Sequence, residues 1–403
     1  MEPVAAVPVL ASEAEALEAA QRLAETIADG VLERDRQGAA AVPVAALDAL
    51  GASGLLGITI PAQAGGAGLG MGALAEVVRI IAAVDPSIAQ IPQGHWLFVD
   101  VLRVWGTEDQ QRRLFAEVLT GARLGNALAE RGGRHAQDLT TRLVDEGQGP
   151  RLRGRKYYAT GALTCRWIAV SAQGADDRIV LAFVERDARG VTIDRDWDVL
   201  GQRATISGTA TFDDVAVDPE LVLDYAHAFE VPQQLGARTQ LVHAAIEVGI
   251  AGGALRDART YLRERARPST EAVRAGVSAA TDDPHVGLRY GRAAVQVRAA
   301  EALLRDAAAT LDDVGLVPAS AAEAARGSLT VAGAKAFGSE VAVAVSSELF
   351  ALCGTSSTAM VHGLDRHWRN ARTHSVHDPV DWKYHHIAGW DLRDAQPPNH
   401  GQL

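Results

Sequence analysis

Three long alanine-rich segments, at about residues 238–265, 284–312 and 319–352, constrain this chain more than any other feature of its 403 residues. Alanine and the straight-chain residues beside it are strong helix formers, and the connections between the segments are rich in Pro, Gly, Asp and Ser. Helices of that length reach stability by packing on one another, so an antiparallel bundle completed by a shorter C-terminal helix is expected. Ala251-Gly252-Gly253 and Ala332-Gly333-Ala334 would let such helices approach closely.

The first third also reads as helices. Ser12 and Glu15 form a capping box, and Ala16, Ala20, Leu23, Ile27 and Val31 follow at helical spacing. Further helices are expected at about residues 71–84, 95–105 and 108–119. From about residue 121 the pattern changes. Short β-branched or aromatic runs at 167–172, 179–184, 191–193 and 209–217, separated by Gly/Asp turns, predict a compact all-β middle domain. The fold class is α+β, mainly α, with an N-terminal helical domain over 1–120, a β-domain over 121–225 and a C-terminal bundle over 226–403.

A formal charge of −11 with no basic cluster argues against nucleic acid or an anionic membrane as partner. Apolar runs such as 341–345 are far shorter than the ~20 residues of a membrane span, and the acidic N-terminus lacks the features of a signal peptide, so a cytoplasmic protein is expected. The two cysteines, Cys165 and Cys353, are expected as core residues, and no metal site is expected. The glycine-rich stretch 65–72 does not have G-x-G-x-x-G spacing and no βαβ unit surrounds it, so it reads as a loop and not a nicotinamide site.

Four motifs occur in an order that resembles the acyl-CoA dehydrogenase superfamily. Residues 61–69 are similar to its P-x-x-x-G-G-x-G-L loop. Residues 152–161, LRGRKYYATG, resemble the strand whose Ser or Thr touches the flavin, opposite an A-L-A-E turn at 127–130. Residues 197–219, WDVLGQRATISGTATFDDVAVDP, follow the family signature almost position by position. The stretch from Ala334-Lys335 to Cys353-Gly354, followed by residues 363–380, GLDRHWRNARTHSVHDPV, resembles the ending of the flavin-dependent monooxygenase branch, that of the dibenzothiophene monooxygenases and sulfur-acquisition oxidoreductases.

That resemblance implies a helical domain, a middle β-barrel and a four-helix bundle, with flavin between barrel and bundle and a homotetramer built through the bundle. It implies a two-component monooxygenase that uses reduced FMN, with FAD as the alternative, and O2. A separate NAD(P)H-dependent reductase would supply the flavin, and the oxygen would reach a small, possibly organosulfur, substrate through a C4a-(hydro)peroxide. Thr160 would donate near flavin N5, His377 would bond the flavin-bound oxygen, and His95 would be the acid/base, since imidazole titrates near neutrality. Asn126 and the backbone of Ala129 would meet the pyrimidine end, Trp197 would wall the ring, and Arg265 and Arg369 would hold phosphate.

Each position also has a plain structural reading: a strand hydroxyl for Thr160, a core or cap histidine for His95, a solvated helix end for Arg265 and domain-edge packing for Trp197. His374 and His377 are spaced to share a helical face, whereas His385 and His386 stay outside the expected site. Two other functions are weighed. In true acyl-CoA dehydrogenases a glutamate takes the substrate proton where this chain has His377-Asp378-Pro379, so an FAD-dependent acyl-CoA dehydrogenase requires Asp378, one methylene shorter, as base. A non-catalytic scaffold would have kept the fold alone.

Overall fold

The computed structural model describes residues 6–133 and 138–403. Seven helices come first: α1 (Glu13–Ala28), α2 (Val31–Gln37), α3 (Val44–Ala52), α4 (Met71–Ala82), α5 (Pro86–Gln90), α6 (Gln93–Trp105) and α7 (Glu108–Leu119). The Ser12 hydroxyl accepts the Glu15 amide to start α1, while the Glu15 carboxylate takes the amide of Ala11. The glycine-rich stretch is a loop, and α4 begins where Asp312 accepts the amides of Met71 and Gly72. A carboxylate at a helix N-terminus satisfies amides that no preceding turn can reach.

Eight strands follow: β1 (Leu124–Ala127), β2 (Arg142–Asp145), β3 (Pro150–Lys156), β4 (Trp167–Gln173), β5 (Ile179–Glu185), β6 (Val191–Ile193), β7 (Ala210–Ala216) and β8 (Val222–Asp224). They pair in the order β6-β7-β3-β2-β4-β5-β8, with β1 parallel to β4. Among the described residues β6 and β8 do not pair, so the barrel stays open along that seam.

Side-chain alternation in β4 and β5 decides how this domain is placed. Trp167, Ala169, Leu181 and Phe183 face the large core shared with the helices, whereas Ile168, Val170, Ala182 and Val184 face a second core inside the β-domain. Both faces of these central strands are thus buried.

The last part holds α8 (Leu235–Glu264), α9 (Thr270–Arg274), α10 (Pro284–Val314), α11 (Ala321–Cys353), α12 (Asp365–His374) and α13 (Val380–Arg393). Glycine permits the closest approach in the molecule's centre. A Cβ on Gly249 would lie 2.6 Å from Ala82 Cβ, and one on Gly253 would strike the Ala83 carbonyl, so α8 runs directly against the end of α4. The neighbouring Gly252 has no atom within 4 Å of such a Cβ. Helix α11 is long and apolar enough to cross a membrane by length and composition, but it carries the fully buried Lys335 and packs against α8 and α10.

Candidate active site

The sheet and the loop before β7 assemble a chain of hydroxyls. Thr160 lies past the end of β3, in a turn and not in a strand, after Tyr158 in the left-handed region. Its carbonyl accepts the Asn126 amide at 3.0 Å, which ties the turn to β1. Its Oγ1 lies 2.7 Å from Ser207 Oγ; Ser207 donates to Thr205 Oγ1, and Thr205 to the Gln202 carbonyl, both at 2.9 Å. With the last two protons committed, Thr160 donates to Ser207. Trp197 Nε1 donates to the same carbonyl at 2.9 Å, and its ring stands edge-on to Tyr158. The Ala129 carbonyl accepts the Tyr157 amide at 2.9 Å, so Asn126, Ala129, Thr160 and Trp197 are linked through two loops.

Three of the buried side-chain amide atoms that find no partner among the described residues lie here: Asn126 Oδ1 and both Oε1 and Nε2 of Gln202. A buried amide without a hydrogen bond costs roughly 1–3 kcal/mol per group, so such atoms call for a polar partner. An oxidised or reduced isoalloxazine carries an imide edge with alternating acceptors and one donor, the complement of side-chain amides. The residues present therefore fit a flavin.

Helix α12 joins this chain of hydroxyls to a second group. Asn370 Oδ1 accepts the backbone N–H of Gln202 at 2.6 Å, and His374, one turn further, enters a cluster of imidazoles. His374 Nε2 lies 3.1 Å from His243 Nδ1 on α8, and the His243 and His377 ring centroids are 4.1 Å apart. His377 is 44% exposed and Nδ1 lies 3.2 Å from Asp378 Oδ1. Burial, with the neighbouring His377, His374 and lysine charges, pushes His243 well below the ordinary histidine range, and burial likewise lowers His374.

Asp378 is the acid that a dehydrogenase would need as base. Burial opposes its ionisation, but the His377 contact and the charges of Lys335 and Lys383 hold it well below the ordinary carboxylate range. Lys383 Nζ sits 2.7 Å from Oδ2, held by charge without a well-aligned hydrogen bond. A carboxylate stabilised this way is a poor proton acceptor. A cavity of about 400 Å3 opens beside it, lined also by Trp382, His386 and His400.

Two expectations need correcting. His95 is fully buried in α6, with Nε2 3.0 Å from the Leu56 carbonyl and Nδ1 accepting the Leu124 amide at 3.1 Å. Burial lowers it to about 4, so it is a neutral structural ring with neither nitrogen free for acid/base work. Arg369 is already saturated by Asp35 at 2.5 and 3.1 Å, Asp365 at 2.7 Å and the Leu200 carbonyl at 3.2 Å. A phosphate there would meet two carboxylates, so Arg369 is a clamp between α12, α2 and the 200 loop. Arg265, expected at cofactor phosphate, is exposed at the C-cap of α8.

Burial pushes the thiols of Cys165 and Cys353 up to about 12, which keeps them inert. Among the described residues no group of three or more His, Cys, Asp or Glu could hold a metal ion. Sequence reasoning missed His243 and Glu247, and gave no role to Lys335 and Gln202 although both lie in the motifs. The available signal was the i,i+4 pairing of polar groups, His243/Glu247 and Lys335/Ser339, within otherwise apolar helices.

Comparison with known proteins follows the same three-part plan. Models described as the acyl-CoA dehydrogenase N-terminal, middle and C-terminal domains match residues 12–122, 127–215 and 241–382. Dibenzothiophene monooxygenase of Mycolicibacterium goodii is 35% identical over 94% of each chain. A probable FMNH2-dependent monooxygenase, SfnC, of Pseudomonas putida is 33% identical over 95% of this chain and 96% of its own. The FMN-bound crystal structure of TdsC from Paenibacillus sp. A11-2 superposes with a TM-score of 0.91 at 31% identity, covering 96% of this chain and all of that one.

Proposed function

The chain belongs to the acyl-CoA dehydrogenase family, in its flavin-dependent monooxygenase branch, and from that membership we propose that it is the oxygenase of a two-component system acting on a small organosulfur compound. Reduced FMN, delivered by a separate NAD(P)H-dependent reductase in the cytoplasm, supplies the electrons that activate O2 for transfer of one oxygen atom. The observation that carries this reading is the ion-paired Asp378 beside a cluster of imidazoles. A proton-abstracting dehydrogenase lacks its base there, while oxygen transfer needs groups that hold and move protons.

In this reading Asn126 and Gln202 would hold the imide edge of the ring, and Thr160, backed by Ser207 and Thr205, would direct a hydroxyl at its reactive face. Trp197 and Tyr158 would wall it from water. His377, half-exposed and backed by Asp378, would steady the reacting oxygen and exchange protons with solvent. Arg265 would reach cofactor phosphate only across a subunit boundary, which fits a tetramer formed through the bundle. The apolar Leu288, Val295, Trp382 and Leu392, exposed on α10 and α13, support that assembly.

The test is to bind FMNH2 anaerobically and mix with oxygenated buffer while following flavin absorbance. A delay before oxidised FMN returns, lost in His377→Ala, supports the reading. Immediate return of oxidised FMN, together with bleaching of bound FAD by an acyl-CoA without oxygen, replaces it with the dehydrogenase.

A further inference from the structure

Behind the imidazoles lies a buried ionic group that the proposed reaction leaves unused. Glu247 on α8 and Lys335 on α11 are both fully buried and pair at 2.6 Å. Ser339, one turn beyond Lys335, donates to the other Glu247 oxygen at 2.6 Å. Glu247 Oε1 also lies 3.0 Å from His374 Nδ1, and His374 Nε2 lies 3.1 Å from His243 Nδ1 and from Gln90 Oε1.

These contacts determine where protons sit. An ionised carboxylate only accepts, so His374 carries a proton on Nδ1; the neutral ring offers a lone pair at Nε2, and Gln90 Oε1 beside that atom gains a donor only when the ring is charged. That lone pair takes the Nδ1 proton of His243, which leaves Nε2 of His243, a ring beside that of His377, as the acceptor at the far end of the pair. Stability does not explain the arrangement, because apolar residues of equal size commonly replace a buried ion pair at no loss. Orientation of a working imidazole by a carboxylate does explain it.

We propose that Glu247, held by Lys335 and Ser339, is a positioning residue that turns His374 and His243 into a proton relay for the oxygenation site. A proton accepted at His243 Nε2 passes that ring's Nδ1 proton to His374 Nε2, so one N–H bond forms and one moves. The charge comes to rest on His374 against Glu247, and Gln90 Oε1 is placed to accept from the new N–H. Glu247 favours that charge; Lys335 and Lys383 oppose it, and His377 is the other titratable group facing the pair.

The relay rests on the monooxygenase reading, and one set of measurements separates the two. Wild type and Glu247→Gln are loaded with FMNH2 and mixed with oxygenated buffer without substrate, and the rate of hydrogen peroxide release is followed against pH. Glu247→Gln should bind FMNH2 within about twofold of wild type and move the inflection to lower pH by about one unit, because the carboxylate that favours the charge is gone. Glu247→Asp should move it part of the way back. In flavin-free protein, 15N spectra of labelled histidines should show His374 as the Nδ1–H form in wild type and as mixed tautomers in Glu247→Gln. If Glu247→Gln fails to fold, His243→Gln replaces it and should abolish the inflection.

An inflection unchanged in the folded variant, or an unaltered His374 tautomer, overturns the relay. A wild-type protein that does not bind FMNH2 overturns the monooxygenase reading and the relay with it.

Discussion

The Thr160 hydroxyl has its proton committed to Ser207, so it reaches a ligand as part of a line ending at the Gln202 carbonyl. Thr160→Val keeps the shape and removes that hydroxyl. Stability should fall by only about 1 kcal/mol, while loss of that positioned hydroxyl should lower coupled oxygenation by roughly 10²-fold and divert oxygen to peroxide. Comparing oxygen consumed with product formed checks this, and unchanged coupling would remove Thr160 from the site. Arg369 makes the opposite prediction. Arg369→Met strands Asp35 and Asp365 together and should cost about 3 kcal/mol in denaturant melts with FMN affinity unchanged. Weakened FMN binding at full stability would return Arg369 to the phosphate role that its motif suggested.

At the scale of elements, contact between α4 and α8 depends on the absence of two side chains. Gly253→Ala should destabilise by about 1–3 kcal/mol, because its Cβ meets the Ala83 carbonyl. Gly252→Ala, with nothing within 4 Å, should be neutral or stabilise by up to ~1 kcal/mol through helix propensity. Thermal melts of the two variants test whether adjacent glycines in one alanine-rich run have different roles. Helix α12 shows why an element can matter more than its length suggests. Ten residues long, it carries Arg369 to α2, Asn370 to the Gln202 loop and His374 to α8.

The whole molecule carries a pH dependence set by its buried histidines. Burial holds His95 and His367 near 4, against about 6.5 in the unfolded chain. Between those values the unfolded state binds protons that the folded state refuses, so stability is full above about pH 6.5 and falls as pH drops toward 4. Each ring contributes up to ~1.4 kcal/mol per pH unit in that window. Glu247 and Asp378, depressed below the ordinary carboxylate range, lose their contribution only as pH falls below about 4. Denaturant melts between about pH 7 and 5 should show this slope, and His95→Asn should flatten it by one proton's worth; an equal slope would mean that His95 is not buried neutral. Light scattering should give four subunits, and a monomer would leave Arg265 without a cofactor role.

By itself the sequence determined the order of domains, because helix and strand periodicity and their breakers act over a few residues. The helix at 108–119 and the long bundle helices follow from that local pattern, whereas the position of Thr160 near the turn at 127–130 came from the resemblance of two motifs to the family. Tertiary structure alone decided which polar residues work together. His243, Glu247 and Lys335 read as ordinary members of apolar helices until α8, α11 and α12 bring them within hydrogen-bond reach. Equally, His95 and Arg369 have the right chemistry for a site, and only packing reveals that backbone and carboxylates already occupy them. The reason is physical: a side chain's type limits what it can bond, but burial and the partners supplied by distant segments decide what it does bond.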